Sequence, residues 1–161
     1  MRKKNKDKNN KFEIIIRPRC NIRSRQWWTK KLVLVIKPLL KQLPNKSRKL
    51  FKASGISLLI TNNREILHLN KKYRKINKPT DVLSFHLNKK EQIKNKYLGD
   101  IIISIETAQK QALIEKKSLD SELLMLLVHA YLHLLGYDHK LAKESKTMFR
   151  LQNKILKSIK A

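Results

Sequence analysis

The sequence contains a single cysteine, three glycines and four prolines among its 161 residues. Cys20 has no partner for an internal disulfide, and a lone thiol is typical of a reducing compartment. The longest apolar candidate, residues 32–40, is interrupted by Lys37 and Pro38 and is shorter than the ~18 residues that a membrane span requires. No apolar segment follows the basic N-terminus to form a signal peptide. We therefore expect a cytoplasmic protein that does not enter a membrane.

Acidic residues are also scarce. Twelve Asp and Glu stand against 38 Lys and Arg, which gives a formal net charge of +26. A lysine-rich composition can reflect A/T-rich codons, but that bias does not explain the shortage of acids. A domain this basic repels itself and attracts polyanions, and nucleic acid is the commonest polyanion of the cytoplasm. The charge therefore predicts contact with nucleic acid.

The length and composition predict one domain. A chain of this length with 41% hydrophobic residues can bury a core of its own without disulfides. Residues 1–11 are basic with almost nothing apolar, which is typical of a flexible arm. Residues 12–161 are expected to form the single folded domain.

Hydrophobic periodicity predicts four strands and five helices. The strands are expected at residues 12–16, 56–61, 82–85 and 98–104, and the last should be central because its apolar run is continuous. The helices are expected at residues 26–43, 62–73, 106–117, 119–135 and 141–160, with a kink or an end at Pro38 and a polar loop over 87–96. Asn62 is expected to cap the second helix, with Glu65 three residues on completing a capping box. Strands and helices neither alternate strictly nor repeat. This order favours an α+β fold, with one four-stranded mixed sheet packed with about five helices.

The helix expected at 119–135 is apolar on nearly every face, so it must be buried. It nevertheless carries His129 and His133, and a spacing of four places both imidazoles on one face, about 6 Å apart along the axis. Gly136 can end the helix in a left-handed conformation, and His139 can then return over the same face. Three imidazoles in this pattern are typical of a tetrahedral zinc site whose fourth position holds water with a pKa lowered toward ~7.

A histidine on an apolar face is usually a core side chain hydrogen-bonded to the backbone. Here, however, three of the five histidines of the chain fall within residues 129–139, and each would need a buried partner without a metal. The spacing therefore favours a metal, whereas His68 and His86 are expected to be structural. Metzincin peptidases share the pattern His-x-x-x-His-x-x-Gly-x-x-His, but Ala130 stands where they carry the glutamate base, which argues against peptide hydrolysis.

Other candidate residues precede or flank the strands. Arg74 offers a planar guanidinium that suits a phosphodiester and the charge of its transition state, although a surface helix residue explains it equally well. Asp81 and Asp100 lie near the starts of predicted strands, and both are expected to accept hydrogen bonds rather than to act in catalysis. Trp27 and Trp28 could stack on bases, but core packing is the favoured prediction for both.

Three separated blocks of the chain carry a resemblance to a known family. They are Leu69-Asn70 to Arg74 together with Pro79 to Phe85, then Leu98-Gly99-Asp100-Ile101 to Ser104, then His129 to His139, which ends Leu-His-Leu-Leu-Gly-Tyr-Asp-His. In this order they resemble the bacterial YbeY-type endoribonucleases, single-domain metalloproteins of rRNA maturation and ribosome quality control. With the helices around them they cover roughly residues 55–156. Ala130, Asn77 and His86 depart from the usual glycine, acid and proline, which affects loop shape and substrate preference more than the metal site.

The resemblance implies one zinc ion per chain on His129, His133 and His139, and it implies that Arg74 is the basic residue needed for RNA cleavage. Asp138 is expected to orient a histidine ligand rather than to act as the base. The fold implied is α+β, as the periodicity predicts. The catalytic set is thus expected to be Arg74 with the three histidines.

The function implied is that of a zinc-dependent single-strand endoribonuclease. It would act in the cytoplasm on rRNA precursors of the ribosomal small subunit, near the 3′ end of that RNA, and in ribosome quality control. Neither DNA nor a membrane is expected as a partner. The alternative is a non-catalytic rRNA-binding assembly factor with structural zinc. An open fourth ligand position argues against it, because structural zinc sites normally close with four protein ligands.

The net charge generates a prediction for RNA binding. If about six phosphates are neutralised, the logarithm of the association constant falls with the logarithm of the salt concentration at a slope near −4, using ~0.7 per single-strand contact. A salt titration of binding to a fluorescent single-stranded RNA measures this slope. A flat response would show that the charge of +26 does not contact RNA.

Overall fold

A computed structural model describes residues 12–18, 20, 22–138 and 142–160, so the arm expected at 1–11 lies outside the described residues. Four strands run over β1 (Phe12–Ile16), β2 (Gly55–Thr61), β3 (Val82–His86) and β4 (Tyr97–Ser104). Seven helices accompany them in this part of the chain: α1 (Arg25–Gln42), α2 (Asn45–Ala53), α3 (Asn63–Arg74), α4 (Lys89–Asn95), α5 (Ile105–Ile114), α6 (Leu119–Leu134) and α7 (Ala142–Lys160). None of the helices described is both long enough and apolar enough to span a membrane.

The four strands form one mixed sheet in the order β1-β2-β4-β3. Strands β1 and β4 each pair in parallel with β2, and β3 pairs antiparallel with β4. Strand β4 is therefore an interior strand, as its continuous apolar run predicts. The predicted fold class, α+β with a single four-stranded mixed sheet, is confirmed.

Helices cover both faces of this sheet. On one face α6 packs against β3 and β4 and is itself contacted by α1, α5 and α7. Side chains from alternate strand positions, such as Leu58, Ile60 and Ile101, enter the main core there. On the opposite face α3 covers a smaller cluster built around Ile66 and Leu83. Helix α6 is thus an interior element, which explains why its sequence is apolar around most of its circumference.

Strand β4 contains a bulge beside Gly99. Leu98 and Ile101 are three residues apart, yet both are buried in the main core, so the alternation of the strand breaks between them. The pairing with β2 shifts its register at the same place. Gly99 has a φ of +144°, and a Cβ built there would lie 2.0 Å from the carbonyl oxygen of Phe85. Only glycine fits this position without moving β3.

Two short helices, α2 and α4, are additional to the five predicted. Helix α4 occupies most of residues 87–96, so the prediction of a polar loop there was wrong. The side chain of Asn88 caps the first turn. Gln92 is buried, and its amide nitrogen donates hydrogen bonds to the carbonyl oxygens of Leu98 and Leu134, each at 3.0 Å. A local cap and one buried amide therefore stabilise a helix in a lysine-rich segment.

The chain after β1 is fastened to α3 by an ion pair. Glu65 lies in the first turn of the helix, and its backbone N–H donates to Asn62 Oδ1 at 3.0 Å, as the predicted cap requires. Its carboxylate does not complete a capping box; it accepts from Thr61 and from Arg17 Nη2, the latter at 2.6 Å. The hydrogen bond from Arg17 lowers the pKa of the Glu65 carboxyl. Beyond it Cys20 is 2% exposed in the main core, and burial raises the pKa of its thiol.

Of the two outcomes expected at Pro38, a kink or a helix end, the structure excludes the end. Pro38 lies inside α1, which continues to Gln42. The buried side chains of Val35 and Leu39 hold this part of the helix against the core, and packing of this kind offsets the hydrogen bond that a proline removes. Pro38 therefore does not end α1.

The bulge generates a stability prediction. We expect Gly99→Ala to lower the free energy of unfolding by about 3 kcal/mol or more, because the added methyl group meets backbone atoms that β3–β4 pairing holds in place. Gly136→Ala is the matched control, since Gly136 also has a positive φ (+89°) but an added Cβ there meets nothing within 4 Å. We expect that variant to lose about 1–2 kcal/mol. Chemical denaturation measures both variants, and equal losses would contradict the steric argument.

Candidate active site

His129 and His133 lie one turn apart on α6, and their side chains converge. Their Nε2 atoms are 3.1 Å apart, and the two ring centres are separated by 4.7 Å at an angle of 76°. Both side chains are partly exposed, whereas most of α6 is buried. The pair therefore lies where the interior helix reaches the surface, with the two Nε2 atoms close together.

Gln152 of α7 fixes the orientation of the His129 ring. Its Oε1 lies 2.9 Å from His129 Nδ1, and the Gln152 side chain is 6% exposed. An amide oxygen can only accept, so Nδ1 of a neutral His129 carries the proton and its Nε2 keeps a lone pair. That lone pair is on the side of the ring that approaches His133. The buried amide thus selects the tautomer in which His129 can bind an electrophile.

Gln152 was missed by the sequence-based prediction of the site. A signal for it exists, because Gln152 comes four residues after Met148 and three before Ile155, both of which are fully buried in α7. A polar side chain at a buried position of an apolar stripe needs a hydrogen-bond partner. The stripe of α7 therefore indicates that some polar group of another element faces Gln152.

The pair of Nε2 atoms fits one tetrahedral metal ion. Two nitrogens held ~2.05 Å from zinc at the tetrahedral angle are about 3.3 Å apart, which is close to the 3.1 Å between His129 and His133. The third predicted ligand, His139, lies outside the described residues. Within the ranges that the structure describes, no group of three or more His, Cys, Asp or Glu is placed to hold a metal.

The end of α6 is fixed by a turn and by α4. The backbone N–H groups of Gly136 and Tyr137 donate to the carbonyls of His133 and Leu132 at 2.9 and 3.0 Å, which is the Schellman arrangement. Gly136 has the positive φ that this turn requires, so the predicted helix end is confirmed. The carbonyl of Leu134 accepts from the buried Gln92 of α4. The hydrogen bonds within the turn and the contact from Gln92 of α4 therefore both hold the chain that follows the histidine pair.

Arg74 lies in the last turn of α3 and is exposed. Its Nη2 donates to the carbonyl oxygen of Ser84 on β3 at 3.3 Å, and its guanidinium carbon lies 5.9 Å from the centre of the Phe85 ring. Strand β3 also packs against α6. Arg74 is therefore attached to the strand that borders the histidine-bearing helix.

The two candidate aspartates, Asp81 before β3 and Asp100 within β4, have structural partners, as expected. Asp81 accepts from the Val82 N–H at 2.7 Å and from the Gln111 amide at 3.1 Å. The Tyr97 hydroxyl donates to Asp100 at 2.7 Å, and burial raises the pKa of that hydroxyl. These contacts account for both carboxylates without a role in catalysis.

The remaining candidates are divided between core and surface. Trp28 is fully buried, and Trp27 packs edge-on against it with ring centres 4.9 Å apart. The prediction of core packing is confirmed for Trp28, while Trp27 is only partly buried. His68 and His86 are exposed on α3 and β3. They lie on elements other than α6 and α7, which hold the His129–Gln152 pair.

Comparison with known proteins gives a consistent result. Residues 20–160 match the family model described as Endoribonuclease YbeY. An Endoribonuclease YbeY of Pelagibacter ubique is 39% identical over 137 residues, which cover 83% of this chain and 90% of the relative. One from Acholeplasma laidlawii is 48% identical over 102 residues, 63% of this chain and 72% of the relative. The solution structure of a Thermotoga maritima protein aligns with a TM-score of 0.61 and 25% identity, covering 92% of this chain and 88% of that one.

These relatives and the α+β fold define an endoribonuclease, a hydrolase that acts on RNA phosphodiester bonds. The resemblance carried by the three sequence blocks is confirmed, because the matched range contains all of them. The chain belongs to the YbeY endoribonuclease family. RNA is accordingly its substrate class.

Proposed function

We propose that this chain is a zinc-dependent endoribonuclease of the cytoplasm that cleaves single-stranded segments of rRNA precursors near the 3′ end of the small-subunit RNA and takes part in ribosome quality control. One zinc ion per chain would be held by His129, His133 and His139. The observation that supports this most directly is the 3.1 Å between the Nε2 atoms of His129 and His133. That spacing suits two ligands of one ion.

The residues of the chain have separate roles in this proposal. Zinc would supply Lewis-acid polarisation of a phosphate oxygen or of a water molecule. Gln152 holds the Nδ1 proton of His129 and so keeps the Nε2 lone pair available. Arg74 binds the non-bridging phosphate oxygens, where negative charge accumulates in the transition state. Its contacts with Ser84 and Phe85 orient the guanidinium before RNA arrives.

The charge distribution supports a large structured RNA as the substrate. No Asp or Glu occurs between Glu13 and Glu65, so α1 and α2 carry only positive charge. Lys30, Lys37 and Lys41 are exposed on α1, and their spacings of seven and four residues place them along one face of the helix. A basic surface of this extent suits the closely spaced phosphates of ribosomal RNA.

The zinc proposal and the role of Arg74 are tested with two variants. We expect His133→Ala to lose bound zinc and cleavage together, because one ligand is removed. Arg74→Ala should keep its zinc but lose about 100-fold in kcat, since a donor to the transition state is removed. Metal content per chain by mass spectrometry on unsupplemented protein, and cleavage of a single-stranded RNA, measure the two effects. His68→Ala is the control and should retain both.

Two results would contradict this assignment. If wild-type protein purified without added metal contains no zinc, the zinc part of the proposal is wrong. Wild-type levels of cleavage in both His133→Ala and Arg74→Ala, with RNA binding unchanged, would show that the activity belonged to a contaminant. The interpretation as a non-catalytic assembly factor would then be preferred.

Gln152 gives a further prediction. Gln152→Leu has a similar volume but removes the oxygen that accepts from His129 Nδ1, so we expect zinc affinity to fall about 10- to 100-fold. Gln152→Glu keeps an acceptor and should restore most of that affinity. Gln111→Leu, which removes the amide next to Asp81, is the control. Competition with a chromogenic chelator measures the dissociation constants, and equal affinity in wild type and Gln152→Leu would disprove the positioning role.

A further inference from the structure

Tyr73 and Phe85 form an aromatic pair beside Arg74, in which Tyr73 is exposed and Phe85 is half-buried. Tyr73 precedes Arg74 in the last turn of α3, and its ring centre lies 5.2 Å from that of Phe85 on β3, with an angle of 62° between the rings. The Tyr73 side chain is 57% exposed, whereas Ile66 and Asn70 of the same helix are buried. The Tyr73 ring is therefore not needed to fill the core.

A cationic side chain lies close to each ring of this pair. Lys72 Nζ lies 5.1 Å from the centre of the Tyr73 ring, and the Arg74 guanidinium lies 5.9 Å from the centre of the Phe85 ring. Both cations can also bind phosphates. Because Tyr73 and Arg74 contact the same Phe85 ring, the Tyr73 ring centre and the guanidinium are at most about 11 Å apart. Adjacent nucleotides of an extended strand cover that distance.

The backbone that presents Tyr73 is held at several points. Helix α3 begins at the Asn62 cap and ends at Lys75, which has a left-handed φ of 62°. The buried Asn70 side chain donates to the carbonyl oxygen of Lys78 at 2.9 Å, which fastens the chain after the helix. Phe85 belongs to a strand paired with β4 along its length. The ring is therefore presented on fixed elements rather than on a loose loop.

We propose that Tyr73 is a base-stacking residue of the RNA site, and that it takes the face of an unpaired base next to the phosphate bound by Arg74. Phe85 supports the ring, and Lys72 moves from the ring to a phosphate when a base arrives. This inference rests on the endoribonuclease activity and on the proposed role of Arg74, but it does not depend on zinc. A base within a duplex already has both faces covered, so Tyr73 selects for single-stranded RNA without selecting a base sequence.

The test is binding of a short single-stranded RNA that contains 2-aminopurine and 2′-O-methyl riboses, measured in EDTA. The methyl groups block attack by the 2′-hydroxyl, and stacking on a ring quenches 2-aminopurine fluorescence. We expect Tyr73→Leu to lose the quenching and to bind about 5- to 100-fold more weakly. Tyr73→Phe and Tyr73→Trp should retain both, because each keeps a ring. Ile93→Ala, at an apolar residue of α4 that is 65% exposed, is the control and should bind as wild type.

Cleavage kinetics distinguish stacking from a structural role. With unmodified single-stranded RNA, Tyr73→Leu should raise KM about 5- to 100-fold while kcat changes less than about threefold, because the lost contact is equal in ground and transition states. Unchanged affinity and quenching in Tyr73→Leu would overturn the proposal, as would a loss in Tyr73→Trp equal to that in Tyr73→Leu. Failure of the zinc proposal is detected separately, by the metal content of protein purified without added metal, because the 2-aminopurine measurement is made in EDTA and does not depend on zinc.

Discussion

Helix α6 is apolar around most of its circumference, so it is stable only where the sheet, α1, α5 and α7 all cover it. In its last two turns His129 and His133 are the partly exposed side chains, and the residues around them are buried. The rings are consequently positioned by the same packing that stabilises the protein. Removing a leucine from this helix leaves a cavity that costs about 2–5 kcal/mol, so the backbone beneath the histidines has few alternative positions. The packing of α6 in the core therefore also fixes the positions of the two histidine rings.

The elements that could be predicted from the sequence are those specified by local chemistry. The continuous apolar run of β4, the cap at Asn62 and the turn at Gly136 each depend on residues within a few positions of one another, and the structure has all three. Helix α4 was missed although Asn88 caps it as Asn62 caps α3; its buried Gln92 is stabilised by Leu98 of β4 and by Leu134 of α6, the latter 42 residues away. In a segment rich in Lys and Asn, nothing local distinguishes a buried glutamine from an exposed one.

The candidate site follows the same division. The convergence of His129 and His133 could be predicted because a spacing of four is a property of one helix. The contact of His129 with Gln152 and that of Arg74 with β3 depend on how separate elements pack, which no periodicity encodes. The role of His139 as the third metal ligand stays a prediction, since that residue lies outside the described ranges. Family membership could be inferred from the sequence because its three blocks are local motifs, all inside the matched residues 20–160.

The burial of Cys20 has a practical consequence. Alkylating reagents attack the thiolate, and a side chain that is 2% exposed with a raised pKa reacts only after the segment between β1 and α1 opens. As the chain has one sulfhydryl, its labelling rate reports the opening frequency of this segment without any engineered probe. Because Arg17 in that segment is tied to Glu65 in the first turn of α3, the labelling rate at a fixed pH should rise in Glu65→Ala, which removes the pair. The native cysteine is therefore a kinetic sensor of how firmly the edge strand is attached.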